Sequence, residues 1–481
     1  MIRFCHQYHP IHEKHPLATE ETLGHSQHVD MLHGPLMRKL ILFALPIAMS
    51  SIMQQLFISA NVAVVGHFVS AQAMAAVGGN GPIVNLIINL FLGLSVGANV
   101  VIARYVGRED MEGCQSAVHT VMAVSSLSGF FLLFAGQLLA PFMLTLVDVP
   151  EDVMDLAVLY LRIYFVGMPC IMVYNFGAAV LRSVGDTKRP MYSLIAAGVV
   201  NVTLSLIFVL GFNMGVAGVG LATLAGNIVS SGLVLYFLLT EDDLIRLSIR
   251  KLSIAKVHLV RVIKIGAPAG LQGMIFSLSN VCILSGINGF GSSTAAGSAT
   301  AINFEFISYF FINAFCQATV TFTSQNYALC RHSRCRKIFR EAMACGILLS
   351  GATCLIFPLG SAWFTGLYTS DPEVIRHSVT RVSIVESMQW LSATYEISGA
   401  ALRGMGISML PAIVTLIGSC LLRIVWVYTV FRMVPTYEML LSVYPVSWAI
   451  TGAIMLIAYF LIRKKLFSER SEGGYCKPLD F

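Results

Sequence analysis

Four ionisable side chains fall well inside long apolar stretches of this sequence: Glu305, Glu386, Glu396 and Arg423, all in its second half. A charge near the middle of a bilayer costs about 2.5–3.5 kcal/mol on insertion scales, so each needs a partner or a task. A carboxyl in such a place can take up a proton, hold a cation or contact a cationic ligand. Glu305 heads a ladder in which Tyr309, Asn313 and Gln317 follow at every fourth position, among Phe306, Ile307, Phe310, Phe311 and Ile312. On an α-helix these polar groups share one slowly drifting face. The ladder is expected to line a wet cavity, with interhelical hydrogen bonding alone as the bland alternative. Asn85 and Asn89, followed by Gly93 and Gly97, form a fainter copy in the first half. Arg423 and Glu305 each lie about 13 Å from the outer end of their spans at 1.5 Å per residue, so they are a candidate ion pair. Glu386 is the other candidate counter-ion, and outward snorkelling is a third reading. Glu396 lies close before Arg403 and reads as a structural group near the interface.

The elements that must position these groups are membrane helices. The 481 residues are 56% hydrophobic and 12% charged, with a mean hydropathy of +0.75. A soluble domain carries about 25% charged residues, so this composition excludes one. Twelve apolar spans are expected, at 36–65, 73–103, 116–142, 156–181, 190–211, 216–240, 262–288, 296–327, 337–362, 374–402, 407–432 and 440–462. They are bound by a repeat. Leu181, Arg182, Gly185 and Pro190 recur as Leu402, Arg403, Gly406 and Pro411. The offset of about 221 residues is far too long for a solenoid and marks two homologous halves. Each copy reads as a basic loop between spans, with Gly allowing the turn and Pro starting the next helix. The chain is therefore expected to be an all-α membrane protein of twelve transmembrane helices in two homologous six-helix lobes. The parts are a polar tail (1–35), a first lobe (36–240), a basic amphipathic linker (241–264), a second lobe (265–463) and a second tail (464–481). Half-to-half repeats of this kind point to secondary transport.

Basic residues set the orientation. They crowd into alternate loops, as in Arg104 and Arg108, Lys188 and Arg189, and the run Arg331, Arg334, Arg336, Lys337 and Arg340. Asp148, Glu151, Asp152 and Asp155 occupy a loop of the opposite set. Both termini are expected in the cytoplasm, by the positive-inside rule. The net charge of +6 belongs to these loops and does not suggest nucleic acid. The 11 cysteines form no CxxC pair, which argues against a zinc site; Cys330 and Cys335 are expected as free thiols in a reducing compartment. Of the 12 histidines, His6, His9, His12, His15, His25, His28 and His33 lie in the first tail. Without a Cys or acidic shell they read as part of a disordered tail rather than a metal site.

The sequence resembles the multidrug and toxic compound extrusion (MATE) transporters from about Gly34 to Arg463. The matching residues are Leu45–Pro46, Val64–Gly66, Ala75–Gly78, Leu181–Arg182, Gly185–Thr187, Pro190, Gly218 and Ala222–Thr223. The second half adds Gln317–Thr319, Gln325–Tyr327 and Leu402–Gly404. The resemblance implies a V-shaped cavity between two lobes, and antiport of organic, often cationic, compounds against inward H⁺ or Na⁺. It also implies a first-lobe cation site at Asn61, Asn201, Ser205 and Thr223. Where the family usually has Asp, this chain has Asn61 and Ser205, and neither amide nor hydroxyl titrates. That site is expected to be vestigial, and coupling is expected at the second-lobe carboxyls, Glu305 first and Glu386 second.

The expected function is thus secondary-active multidrug efflux by a monomeric plasma-membrane protein that meets small organic molecules and lipids. No cofactor is expected beyond the coupling ion. A lipid-linked oligosaccharide flippase and a non-transporting receptor or scaffold are the alternatives. No phosphate loop, zinc motif or Ser/His/Asp arrangement suggests an enzyme.

Overall fold

The computed structural model describes residues 28–79, 81–145, 149, 151–241 and 244–468. The first tail up to residue 27, with most of its histidines, lies outside the described residues. Helices dominate, and twelve spans can be traced. In the first lobe α1 is Leu36–Phe68; α2 is Gly81–Gly107, entered through a short helix Ala71–Gly79; and α3 is Met111–Thr145. Next, α4 is the pair Glu151–Val166 and Met168–Ser183, bent by 48°. Then α5 is Lys188–Gly211 and α6 is Gly215–Thr240. In the second lobe α7 is Lys256–Asn288, α8 is Ser292–Ala328 and α9 is His332–Leu359. Pro372–Ile384 and Ser392–Gly404, joined by a 3₁₀ segment Glu386–Leu391, make α10. Met409–Met433 is α11 and Tyr437–Phe467 is α12. Ten of the described helices are long and apolar enough to span by themselves, or 11 with the bent α4 pair. Interrupted α10 supplies the twelfth. A broken helix inside a membrane is tolerated only where neighbours satisfy its backbone, and here the break carries buried Glu386 and Gln389.

The duplicated loops have the geometry their residues dictate. Gly185 and Gly406 adopt φ +95° and +88°, the left-handed region where a Cβ is strained. Pro190 and Pro411 lie in the first turns of α5 and α11. Asp186 accepts from the backbone N–H groups of Lys188 and Arg189, closing the start of α5. Both loops lie on the same, basic side of the molecule. There the lobes are joined in a pseudo-symmetric manner. Arg104 Nη2 of α2 donates to Gly404 O in the second loop at 3.2 Å. Its repeat equivalent, Gln325 Nε2 of α8, donates to Ser183 O in the first loop at 2.7 Å. Thr321 Oγ1 donates to Asn99 Oδ1 at 2.9 Å, and Phe43 of α1 meets Phe322 edge-on at 5.5 Å.

Glycines bring α2 and α7 into backbone contact across the lobes. A Cβ on Gly93 would fall 2.0 Å from Gly270 N, and one on Gly97 would fall 2.4 Å from Val262 O. Small residues permit this approach in membranes, where dispersion and weak polar contacts drive association. Cys335 is a buried free thiol. The expectation for Cys330 is corrected: it is disulfide-bonded, at a positive-φ turn between α8 and α9.

Candidate functional site

The second lobe gathers most of the intramembrane charge around α8 and α10, whose 3₁₀ break turns side chains onto α8. Glu305 does not pair with Arg423. Its partner is Arg381 of α10, which grips the carboxylate with two parallel bonds, Nε to Oε1 at 2.6 Å and Nη2 to Oε2 at 2.9 Å. Arg381 also donates to Ser298 Oγ at 2.8 Å, and Gln389 Nε2 donates to the Glu305 carbonyl at 2.9 Å. The fork of a guanidinium matches both carboxylate oxygens, which makes this the strongest kind of ion pair available. Arg381 was not expected as a site residue, because it stands only a few residues inside the expected start of its span at 374. It lies in the helix Pro372–Ile384, ahead of the 3₁₀ break, and is 2% exposed.

Arg423 pairs with neither candidate carboxylate. It donates from Nη1 to Asn280 Oδ1 at 2.9 Å and from Nε to Ser447 Oγ at 3.2 Å. Its guanidinium lies over the rings of Phe276 and Tyr444, at 4.9 and 4.6 Å. Cation–π and dipole contacts thus stand in for a counter-ion. The second guanidinium against Tyr444, at 5.3 Å, is that of Arg381. A helical register could not reveal this, because depth says nothing about rotation around the helix axis.

Glu386 is fully buried at the start of the 3₁₀ break. Ser308 Oγ, one turn along α8 from Glu305, donates to Glu386 Oε1. The Cys354 thiol is its other side-chain partner, and Glu386 forms no ion pair among the described residues. Glu305 is thus charge-balanced and geometrically locked, whereas Glu386 is held by neutral groups, the Ser308 hydroxyl and the Cys354 thiol. Gain or loss of a proton at Glu386 changes the net charge of the lobe interior.

Glu396 pairs with Arg403 at 3.8 Å, and Arg403 also reaches Gln272 Oε1 of α7 at 3.3 Å. The rest of the ladder, Tyr309, Asn313 and Gln317, is half-buried along α8, with Gln317 Nε2 reaching Asn313 Oδ1 at 3.5 Å. In the fainter first-half copy, the Asn85 side chain lies outside the described residues. Asn89 Nδ2 donates to Ser277 Oγ of α7 at 3.0 Å, so it bridges the lobes.

In the first lobe the four residues singled out from the sequence do meet. Ser205 Oγ donates to Asn61 Oδ1 at 3.0 Å. The Asn61 and Asn201 amides both reach Thr223 Oγ1, at 3.3 and 3.1 Å. Asn201 Oδ1 is buried without a partner. The cluster is electrically neutral, and its dipoles largely satisfy one another.

Residues 46–207 and 268–429 each match the profile of the MatE family, and the two matches begin at the paired prolines Pro46 and Pro268. The probable multidrug resistance protein YoeA of Bacillus subtilis is 25% identical over 79% of this chain and 83% of its own length. The probable multidrug resistance protein NorM of Thermotoga maritima is 23% identical over 79% of this chain and 82% of its own. Two solved structures share the fold. One is a Pyrococcus furiosus MOP-superfamily transporter, described as having a binding pocket of reverse polarity, with a TM-score of 0.85 at 20% identity over 92% of this chain and 99% of its own. The other is a multidrug resistance transporter in an outward-facing conformation, with a TM-score of 0.83 at 21% identity over 93% and 99%.

Proposed function

Because the chain belongs to the MatE family, we propose that it exports amphipathic organic compounds, chiefly cations, across the plasma membrane in exchange for inward H⁺ or Na⁺. Membership in this family places it among transporters and not enzymes. Relatives named as probable multidrug resistance proteins, such as YoeA and NorM, support multidrug export. The basic side of the molecule, with both termini, faces the cytoplasm in this reading. The lobes are bonded together on that side, so this conformation is closed to the cytoplasm. The protein acts as a monomer, with the half-buried face of Tyr309, Asn313 and Gln317 toward the substrate path.

The observation that carries the coupling assignment is the contrast between the two lobes. The cluster of Asn61, Asn201, Ser205 and Thr223 offers a cation only neutral oxygens. It lacks the attraction of a carboxylate, about 4 kcal/mol at 4 Å for an effective dielectric near 20, or roughly three decades of affinity. The second lobe holds Glu386, a buried carboxyl without a cationic partner among the described residues. Glu305 is already committed to Arg381, and its release requires breaking a buried bidentate pair. Glu386 therefore takes the driving ion, and Glu305 with Arg381 holds the helices around it.

Efflux from proteoliposomes under separately imposed pH and Na⁺ gradients tests this reading. Glu386→Gln is expected to abolish gradient-driven efflux while leaving substrate binding measurable. Asn61→Ala is expected to keep the dependence on the driving gradient. Coupled efflux in Glu386→Gln, together with its loss in Asn61→Ala, would move the coupling site to the first lobe. The flippase reading needs cations facing the substrate path to meet lipid phosphates. Here Arg381 and Arg403 are paired with carboxylates and Arg423 is fully buried, which favours export of cations.

A further inference from the structure

Ahead of α1, residues 28–34 cross from the first lobe to the second on the basic side. Asp30 folds this segment into a turn by accepting from the backbone N–H groups of Leu32 and His33 and from Lys39 Nζ. Gly34, at φ +68°, redirects the chain into α1. On the first lobe, Val29 N donates to Gly185 O at 3.2 Å, and His28 Nε2 lies 3.5 Å from Glu241 Oε1. On the second lobe, four successive carbonyls of the segment are claimed by side chains around the α8–α9 turn. Asn326 and Arg334 donate to Met31 O, at 3.1 and 3.2 Å. Arg331 donates to Leu32 O at 2.7 Å. Arg334 goes on to His33 O at 2.8 Å and Gly34 O at 3.2 Å. The Met31 side chain is 1% exposed, within the hydrophobic core.

The repeat shows what this segment does there. In the second copy of the loop, the guanidinium of Arg104 covers Gly406, with Nη2 2.5 Å from where a Cβ would stand. In the first copy the equivalent of Arg104 is Gln325, which is shorter and ends at Ser183 O. The place over Gly185 is taken by the backbone of Val29, 2.5 Å from the Cβ position there. The segment fills the half of a pseudo-symmetric seal that the second lobe's own side chain cannot reach.

We propose that residues 28–34 are a strap that holds the two lobes shut on the basic side, with Arg334 as the positioning residue that grips it. To open that side, the transporter must withdraw Met31 and release the carbonyls of residues 31–34. The grip is on backbone oxygen, so it tolerates side-chain changes in the strap but not loss of the guanidinium. It goes beyond the export reading, since it concerns which state the lobes rest in and not what they carry or what drives them.

Hydrogen exchange read by mass spectrometry on the full chain in detergent micelles tests this without any substrate. Arg334→Gln is expected to speed exchange about tenfold in the seam segments 99–107 and 321–328, with the far ends of the helices unchanged. His33→Ala keeps the carbonyl and is expected to match the parent. Asp30→Ala removes the turn from the first-lobe side and is expected to reproduce the Arg334→Gln pattern. It decides the matter if Arg334→Gln loosens the whole chain. Arg334→Lys, with one ammonium in place of the fork, is expected to restore protection only in part. Unchanged seam exchange in both Arg334→Gln and Asp30→Ala overturns the strap, and so does a His33→Ala effect as large as theirs.

Discussion

At the scale of single residues, the second lobe separates two buried carboxyls by their surroundings. Glu305 is fixed by the two-pronged bond from Arg381, and Glu386 by a serine hydroxyl and a thiol, with no cation beside it among the described residues. Removing one member of a buried pair leaves an uncompensated charge and costs about 3–5 kcal/mol, whereas replacing both members is often near neutral. Arg381→Met should therefore lower the midpoint of a denaturing-detergent titration strongly, and Arg381→Met with Glu305→Gln should recover most of the loss. A double variant no more stable than Arg381→Met alone would argue that the pair does not act as a unit. Glu386→Gln keeps the volume and the Ser308 contact, so its midpoint should stay near that of the parent while coupled efflux is lost. Most of these residues were legible in the sequence because charge is rare in apolar spans, but Arg381 was not. It stands nearer the expected start of its span than the four residues singled out, and only the packing of α10 onto α8 shows it to be buried.

At the scale of elements, the α2–α7 seam depends on glycines that no side chain could replace. A Cβ on Gly93 or Gly270 would land within 2.0–2.3 Å of opposing backbone, and two helix backbones cannot shift apart locally. Gly93→Ala is expected to give an aggregated or unstable protein on size-exclusion chromatography. Gly232→Ala in α6, where a Cβ meets nothing within 4 Å, should be neutral or stabilising by about 0.4–1 kcal/mol. Equal behaviour of the two variants would show that the seam has room to spare. The repeat aligned Gly93 with Asn313 and Gly97 with Gln317 without saying which helix these glycines face. The fifth span of each lobe also carries a π-helical stretch, Ile207–Gly211 and Leu416–Leu421. In the second lobe it precedes Arg423 directly, which rotates the side chain away from the register that an unbroken helix implies.

At the scale of the whole molecule, the orientation rests on loop charge. Lys188 and Lys337 are exposed on the basic side, and Glu151 and Glu373 are exposed in the first turns of α4 and α10, at the opposite side. Single cysteines introduced at the first two positions should react with an impermeant maleimide only in inverted membranes, and those at the last two only in intact cells. The reverse pattern would invert the topology and make the strap an external feature. Both lobes enter the membrane in the same sense, so their equivalent contacts pair across the interface, Arg104 on Gly404 and Gln325 on Ser183. One guanidinium in place of one amide breaks the symmetry, and the strap occupies the gap.

What the sequence determined by itself is the membrane class, the twelve spans, the duplication and the neutral first-lobe cluster. The first three follow from composition, periodicity and internal repetition; the first-lobe cluster is what the resemblance to the MATE transporters implies, and its neutrality follows from the residues that stand there. The tertiary structure alone decided that Arg381 and not Arg423 balances Glu305, and that Glu386 has no cationic partner among the described residues. It also decided that residues 28–34 reach a turn about 300 positions away. These choices depend on helix rotation, on a 3₁₀ break and on which backbone oxygens lie within reach of a guanidinium. Hydropathy reports depth along the membrane normal and nothing about direction around the helix axis, so partners at equal depth stay indistinguishable until the helices pack.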